Sequence, residues 1–242
     1  MEWIGDAVTG QGVTEQRFDV FCEERRVPGI LWMPEAAREV NALALLGHGG
    51  GLDKRADYIL GTARRLVRRH GISAIAIDGP GHGERRSTAG DLAPENSEAE
   101  FQKAWSPADA TDKMVEDWKA ALDAIQSEKG EGPVGYFGLS MGTMMGVPLI
   151  ASEPRVQAAV LGLMGVWGPN RERLSSDSPN VQCPVRFLAQ WDDEVVPRET
   201  ALELFDRLGT KQKSLHAHPG KHVQVPAEEM RAIPDFLAAH LR

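Results

Sequence analysis

Short continuous apolar segments alternate with helical segments along this sequence, and that alternation limits the folds open to it. Residues 42–46, 72–77 and 156–163 are apolar segments of strand length. Residues 57–70 and 107–128 repeat apolar side chains every three or four positions, which is the spacing of an amphipathic helix. Continuously apolar strands separated by helices are typical of a mostly parallel sheet with helices on both faces. The sequence therefore predicts an α/β fold.

The alternation continues to the end of the chain and predicts about eight strands. The first two strands flank a charged turn and are expected to form an antiparallel pair at one edge of the sheet. The predicted strands are 18–22, 29–33, 42–46, 72–77, 134–137, 156–163, 185–189 and 214–217. The predicted helices are 57–70, 107–128, 141–150, 198–208 and 227–241. A chain of 242 residues with one such sheet is expected to form a single domain, residues 1–242.

Two connections are longer than a simple crossover between strands needs. Residues 79–106 are expected to form a long loop, and residues 165–181 a short cap-like connection. Both leave the carboxyl ends of strands, which is where ligands bind in open α/β sheets. We therefore expect both connections to shape a substrate site.

The charge balance and the cysteine count exclude several classes of protein. There are 27 Lys and Arg against 35 Asp and Glu, so the formal net charge is −8 at pH 7 and no nucleic-acid partner is expected. No apolar stretch reaches the ~18 residues that span a bilayer, and residues 1–12 contain no secretory signal. Cys22 and Cys183 are expected to be free thiols. These features predict a cytoplasmic protein without a membrane partner. It is expected to be a monomer or a homodimer, and the sequence does not choose between the two.

The segment Gly138-Leu139-Ser140-Met141-Gly142 matches the pattern G-x-S-x-G. A predicted strand precedes it and a predicted helix follows it, which is the context that the pattern requires. A sharp turn from strand to helix presents the serine hydroxyl at the sheet edge, beside the free N–H groups of the helix N-terminus. Ser140 is therefore the candidate nucleophile. The alternative is a glycine-rich turn in which the serine caps the helix.

A serine hydroxyl needs a base to become a nucleophile, and the chain has seven histidines. His222 is the preferred base and His218 the second choice, because turn residues before His222 free its side chain in the loop after the last predicted strand. The base needs a carboxylate that orients it. Asp192 and Asp193 both follow the predicted strand 185–189, and the pattern alone does not choose between them.

Three consecutive glycines, Gly49, Gly50 and Gly51, follow His48 at the end of a predicted strand. Such a run loses much conformational entropy on folding, which argues against a merely flexible loop. Its N–H groups and that of Met141 can point towards one oxygen atom and form an oxyanion hole. Gly50 and Gly51 are the candidates for the second donor.

The order Ser140, Asp193, His222, with the glycine-rich segment 48–51 upstream, resembles the α/β-hydrolase fold over nearly the whole chain. Residues 78–83, D-G-P-G-H-G, are similar to a turn of that family. The resemblance implies a mostly parallel sheet of about eight strands, and a Ser–His–Asp catalytic triad.

The resemblance also chooses between the open alternatives. The segment D-E-V-V-P that begins at Asp193 resembles the family's D-x-x-V-P, which favours Asp193 over Asp192. The segment G-K-H that ends at His222 resembles the family's G-x-H, which favours His222 over His218.

Within the family, the chain is similar to small serine esterases of the dienelactone hydrolase-like branch. Those lactone hydrolases use a cysteine nucleophile, whereas position 140 is serine, which favours esters. The resemblance implies a carboxylesterase that hydrolyses small, short-acyl-chain esters through an acyl-enzyme. The alternatives are another serine acyl hydrolase (a thioesterase, carbohydrate deacetylase, lactonase or peptidase) and a non-catalytic binding module with the same fold.

Three tryptophans lie near predicted loop ends and are candidate substrate-binding residues: Trp105, Trp167 and Trp191. No metal ion and no organic cofactor is expected, because the triad mechanism needs neither.

Overall fold

A single sheet of nine strands is present in the described residues, 1–87 and 94–241 of a computed structural model. The order across the sheet is β1-β2-β3-β5-β4-β6-β7-β8-β9. In this order, each of the pairs β1–β2, β2–β3 and β3–β5 is antiparallel. All the remaining pairs, which join β5, β4, β6, β7, β8 and β9, are parallel. The strands are β1 (Glu2–Gly10), β2 (Val13–Cys22), β3 (Arg25–Pro34), β4 (Leu43–Gly47), β5 (Ser73–Ile77), β6 (Val134–Gly138), β7 (Val156–Gly162), β8 (Val185–Gln190) and β9 (Lys213–His218).

Helices cover both faces of the sheet, as the alternation of apolar segments predicts. One face packs on α1 and α7, and the other on α3, α4 and α6, so two apolar cores lie on opposite sides of the strands. The helices are α1 (Asp57–Arg65, continued by a π-helical turn Leu66–His70), α2 (Pro94–Trp105), α3 (Ala110–Lys129), α4 (Met141–Ser152), α5 (Arg171–Asp177), α6 (Arg198–Arg207) and α7 (Ala227–His240). No helix among the described residues is long and apolar enough to cross a bilayer.

The sheet has one strand more than the eight segments that the sequence marks, because β1 has no apolar pattern. Six of its last seven residues are fully on the surface and none of its nine residues is buried. It pairs with β2 along one edge only and has an irregularity between Ile4 and Val8. Backbone hydrogen bonds rather than burial hold such an edge strand, and these leave no signature in the sequence.

The prediction of a loop over residues 79–106 is wrong for Pro94–Trp105, which form the helix α2. Proline stands at its first position, where a missing N–H does no harm. Phe101 and Trp105 are four positions apart, and their rings contact each other. The segment 88–93 of this connection lies outside the described residues. The connection 165–181 contains the short helix α5.

The parallel strands bring their carboxyl ends to one edge of the sheet, and this places the candidate residues together. All five residues of β4 and all five of β6 are buried, and Gly47 pairs with Gly138 at the last position of both strands. The connections after β4, β6, β8 and the loop after β9 therefore start at the same edge.

Candidate active site

The turn between β6 and α4 holds Ser140 in a strained backbone conformation. Ser140 has φ of 57° and ψ of −121°, a combination that residues with a Cβ rarely adopt. Its N–H donates to the carbonyl of Gly162 at 2.9 Å. The Thr143 hydroxyl lies 2.8 Å from the carbonyl oxygens of both Gly138 and Gly162. These bonds to β6 and β7 fix the turn that presents the serine.

Glycine is required on both sides of this turn because the backbones pack against each other. A Cβ on Gly138 would lie 2.6 Å from the carbonyl of Gly142, and a Cβ on Gly142 would lie 2.4 Å from the carbonyl oxygen of Gly47. The Tyr136 hydroxyl donates to the Gly142 carbonyl at 2.6 Å from within the core. The glycines of the G-x-S-x-G pattern thus allow β4, β6 and α4 to approach closely.

Ser140, His222 and Asp193 form one chain of hydrogen bonds. The Nε2 atom of His222 lies 3.0 Å from the Ser140 Oγ, and its Nδ1 atom lies 2.7 Å from the Asp193 Oδ2. The second oxygen of this carboxylate, Oδ1, accepts the backbone N–H groups of Val195 and Val196 at 2.8 and 2.9 Å. Because a carboxylate only accepts, Nδ1 carries the proton of the imidazole and Nε2 is free to accept from the serine hydroxyl.

The two alternatives for the acid and the base lie elsewhere. Asp192 turns its carboxylate to the N–H of Gly220 at 3.2 Å, within the loop that carries His222. His218 lies on β9 with its Nε2 atom 3.2 Å from the Glu229 carboxylate. The structure therefore brings Asp193 and His222 to Ser140, and it brings neither Asp192 nor His218 there.

The glycine-rich loop after β4 is anchored by two side chains. The Gly49 N–H donates to the Tyr58 hydroxyl at 2.6 Å. The His48 ring accepts the Gly79 N–H on Nε2 at 2.9 Å, so Nδ1 bears the proton and donates to the Gly49 carbonyl at 2.9 Å. The N–H groups of Gly50 and Met141 have no acceptor among the described residues. They are thus available to a bound molecule.

His48 is fully buried, and this makes its charged form unfavourable. Burial lowers its pKa from 6.5 to about 4, and the charge of the neighbouring His82 acts in the same direction. The two rings lie 5.3 Å apart between centroids. The ring that anchors the glycine-rich loop is therefore neutral in the folded protein near neutral pH.

This lowered pKa predicts a loss of stability in mild acid. The unfolded chain protonates His48 near pH 6.5 and the folded protein only near pH 4, so between these values the unfolded state binds more protons. The free energy of unfolding should fall by about 3 kcal/mol through this group as the pH falls from about 7 to about 4. Urea unfolding at both pH values measures it, and His48→Gln should make the pH dependence shallower. An unchanged dependence in His48→Gln would exclude His48 as the source.

Two cavities open beside Ser140, and both also border Gly50 and His222. The larger cavity has a volume of about 660 Å³ and the smaller about 280 Å³. The larger cavity is further lined by Gly51, Phe101, Gln102, Met141, Met144, Met164, Trp167, Gly168, Pro169, Val195 and Val196. The smaller cavity is further lined by Gly49, Leu52, Tyr58, Leu139, Leu163, Val223, Val225 and Met230. A bound molecule could therefore extend from Ser140 in two directions.

Of the three candidate tryptophans, only Trp167 borders either cavity in the described structure. Trp191 is half exposed, and the Arg198 guanidinium lies over its ring, 4.3 Å from the centroid. Trp105 is buried in the core against Phe101, which takes the place at the wall of the larger cavity. The expectation that Trp105 and Trp191 line the site is thus corrected. Position near a loop end does not determine the direction of a side chain.

Two residues of the site have no signal in the sequence. Tyr58 reaches the glycine-rich loop from α1, and Glu194 accepts the backbone N–H of His222 at 2.9 Å. That hydrogen bond is the largest cause that lowers the pKa of Glu194. Side chains that bond to the backbone of a distant segment follow no local pattern. In the described part of the chain, no group of three or more His, Cys, Asp or Glu could hold a metal ion.

Comparison with known proteins gives the family. The family model described as serine aminopeptidase, S33, matches residues 38–163, which include the glycine-rich loop and the serine turn. The chain belongs to this family of α/β-hydrolases. This confirms the resemblance and the fold class that the sequence predicts. A search of curated proteins finds no match.

Solved structures similar to this α/β-hydrolase include esterases. The PEG-bound complex of a cold-adapted esterase from an Arctic intertidal metagenomic library is 47% identical, covers 100% of both chains and has a TM-score of 0.89. The native structure of a cold-adapted esterase from such a library is 43% identical over 100% of both chains, with a TM-score of 0.84. A dienelactone hydrolase from Anabaena variabilis is 20% identical, with a TM-score of 0.69 over 96% of this chain and 100% of that one, and shows the fold alone.

Proposed function

We propose that the protein is a serine carboxylesterase that hydrolyses small, short-acyl-chain esters through an acyl-enzyme. The observation that carries the proposal is the chain of hydrogen bonds from Ser140 through His222 to Asp193. The similarity to two esterase structures over the full chain supports the ester as the substrate.

The reaction starts when the Ser140 Oγ attacks the ester carbonyl and the His222 Nε2 takes its proton. Asp193 holds the imidazole in the Nδ1–H tautomer and stabilises the imidazolium that forms. His222 then protonates the leaving alcohol, and the acyl group remains on Ser140. A water molecule, deprotonated by His222, repeats the sequence and releases the acid.

The negative charge on the carbonyl oxygen needs donors that are in place before the reaction. The Met141 N–H at the start of α4 is one donor in this proposal. The Gly49 N–H is already bonded to Tyr58, so the second donor is the N–H of Gly50 or Gly51. Both of these glycines border the larger cavity together with Ser140.

An aminopeptidase is less compatible with the site, despite the description of the family model. A substrate with a free α-amino group carries a positive charge, and a buried charge requires a partner of opposite sign. The described residues that line the two cavities include no Asp and no Glu. A neutral ester needs no such partner.

The open walls of the cavities favour short acyl chains. Leu52 and Val223, at the rim of the smaller cavity, are 44% and 84% exposed, and Trp167 at the larger cavity is 47% exposed. A long chain would leave these rims and extend into water. Each CH₂ that stays in water forgoes about 0.8 kcal/mol of binding.

The proposal is tested by kcat/KM for para-nitrophenyl butyrate, para-nitrophenyl palmitate and an aminoacyl para-nitroanilide. The kcat/KM for the butyrate ester should exceed that for the palmitate ester by about tenfold or more, because most of the longer chain has no apolar surface to pack against. The anilide should be at least about a hundredfold poorer than butyrate, because its ammonium group finds no carboxylate. A preference for monomeric palmitate would contradict the short-chain proposal, and a preference for the anilide would contradict the esterase.

The other expectations stay predictions. They are the cytoplasmic location, the monomeric or homodimeric state, the lack of nucleic-acid and membrane partners, and the lack of a cofactor. The thioesterase, deacetylase and lactonase alternatives share the triad and differ from the proposal only in the substrate.

A further inference from the structure

The hydroxyl of Tyr58 is used as an acceptor and not as a donor. It accepts the Gly49 N–H at 2.6 Å, and no acceptor for its own hydrogen is present in the described residues. A phenol hydroxyl can donate and accept at the same time. One hydrogen bond of Tyr58 is therefore left to be made.

Tyr58, the residue that carries this donor, lines the smaller cavity. Ser140 and His222 line the same cavity. The other described side chains that line it are apolar: Leu52, Leu139, Leu163, Val223, Val225 and Met230. Tyr58 thus provides the one polar side-chain group of the described lining beyond the reacting pair. Its ring is fixed by an edge contact with Phe137, 6.0 Å between centroids. A fixed donor in an apolar wall is a means of specificity.

The bond from Gly49 makes the hydroxyl a better donor. Hydrogen bonds in a chain polarise one another, so an O–H group that accepts a backbone N–H donates more strongly. The same bond fixes the oxygen, so little freedom is lost when a ligand binds. Burial raises the pKa of Tyr58, which keeps the phenol protonated.

We propose that Tyr58 donates a hydrogen bond to the substrate in the smaller cavity. The preferred substrates are then esters that carry an oxygen acceptor, such as an ether or hydroxyl oxygen, in the substituent that occupies this cavity. The inference rests on the proposed esterase function and refines its substrate class. It makes Tyr58 a specificity-determining residue in addition to an anchor of the glycine-rich loop.

The second tyrosine of the chain is a matched control. The Tyr136 hydroxyl also bonds to the backbone near the serine, but it donates its hydrogen to the Gly142 carbonyl at 2.6 Å and is completely buried. It borders neither cavity. Tyr136→Phe therefore removes a structural hydrogen bond of similar length without removing a donor to the substrate.

The test compares pairs of esters in which an oxygen atom replaces one CH₂ group. One pair varies the acyl side, methoxyacetate against butyrate with the same alcohol, and the other varies the alcohol side, methoxyethyl against butyl acetate. For each pair the ratio of kcat/KM values is measured in the wild type, Tyr58→Phe and Tyr136→Phe. Intrinsic reactivity cancels when the ratio of a variant is divided by that of the wild type.

We take the ratio as kcat/KM for the oxygen-containing ester divided by kcat/KM for its hydrocarbon partner. Tyr58→Phe should lower this ratio about tenfold in one pair and leave it unchanged in the other. The pair that responds identifies the substituent that occupies the smaller cavity. Tyr136→Phe should change neither ratio. Equal losses for both members of each pair would mean that Tyr58 only anchors the loop, and a drop in both pairs would exclude a contact in one cavity. Either result overturns the inference, whereas a wild type that hydrolyses none of the four esters overturns the proposed function itself.

Discussion

Ser140→Ala should lower kcat for para-nitrophenyl butyrate by about 10⁴-fold or more, because the variant has no nucleophile for the first step. The change removes one oxygen atom. The hydrogen bonds that fix the turn run from the Ser140 N–H to the Gly162 carbonyl and from the Thr143 hydroxyl to the Gly138 carbonyl, and neither involves this atom. The fold should therefore persist, and the unfolding temperature should change little.

Ser152→Ala is the matched control for this loss. Ser152 is the last residue of the same helix, α4, and its hydroxyl lies 3.0 Å from the Pro148 carbonyl, at the opposite end of the helix from Ser140. Its kcat should stay within about twofold of the wild type. If Ser140→Ala keeps more than about a tenth of the wild-type kcat, another group is the nucleophile.

The central strands could be predicted because they are buried on both faces. All five residues of β4 and of β5 are buried, and such strands read as continuous apolar segments. The edge strand β1 could not be predicted, because most of its side chains are in water and its position depends on pairing with β2. The sequence thus determines the centre of the sheet more clearly than its edge.

The helix α2 shows a second limit. It lies in a connection that the strand pattern marks as a loop. Phe101 and Trp105 occupy one face and separate into different environments, the first at the larger cavity and the second in the core. Tertiary packing decided both the helix and the direction of each ring.

The candidate site divides in the same way. Ser140 could be predicted from local geometry, because the sharp turn from strand to helix requires glycine at both Gly138 and Gly142. The acid could not be chosen from the pattern, because Asp192 and Asp193 are adjacent and side chains of adjacent residues in a loop point in different directions. The family resemblance favoured Asp193, and its carboxylate is the one that contacts His222.

Asp193→Asn should lower kcat by about 10⁴-fold, the loss that this change produces in serine proteases. The reason lies in the two backbone bonds of the carboxylate. The amide oxygen of the asparagine keeps the N–H groups of Val195 and Val196, so the amide nitrogen must face His222. An amide nitrogen only donates, which forces Nδ1 to accept and places the proton on Nε2. An imidazole in that tautomer cannot take the proton of Ser140.

Asp192→Asn changes the neighbouring carboxylate in the same way and should leave kcat within a fewfold of the wild type. Among the described residues, the Asp192 carboxylate accepts only the Gly220 N–H, at 3.2 Å, and an asparagine oxygen can accept it equally. Steady-state kcat for para-nitrophenyl butyrate, with circular dichroism as a check on folding, measures both variants. A larger loss in Asp192→Asn than in Asp193→Asn would assign the orienting carboxylate to Asp192. Similar losses in both would mean that the negative charge of the loop after β8 matters more than the tautomer of His222.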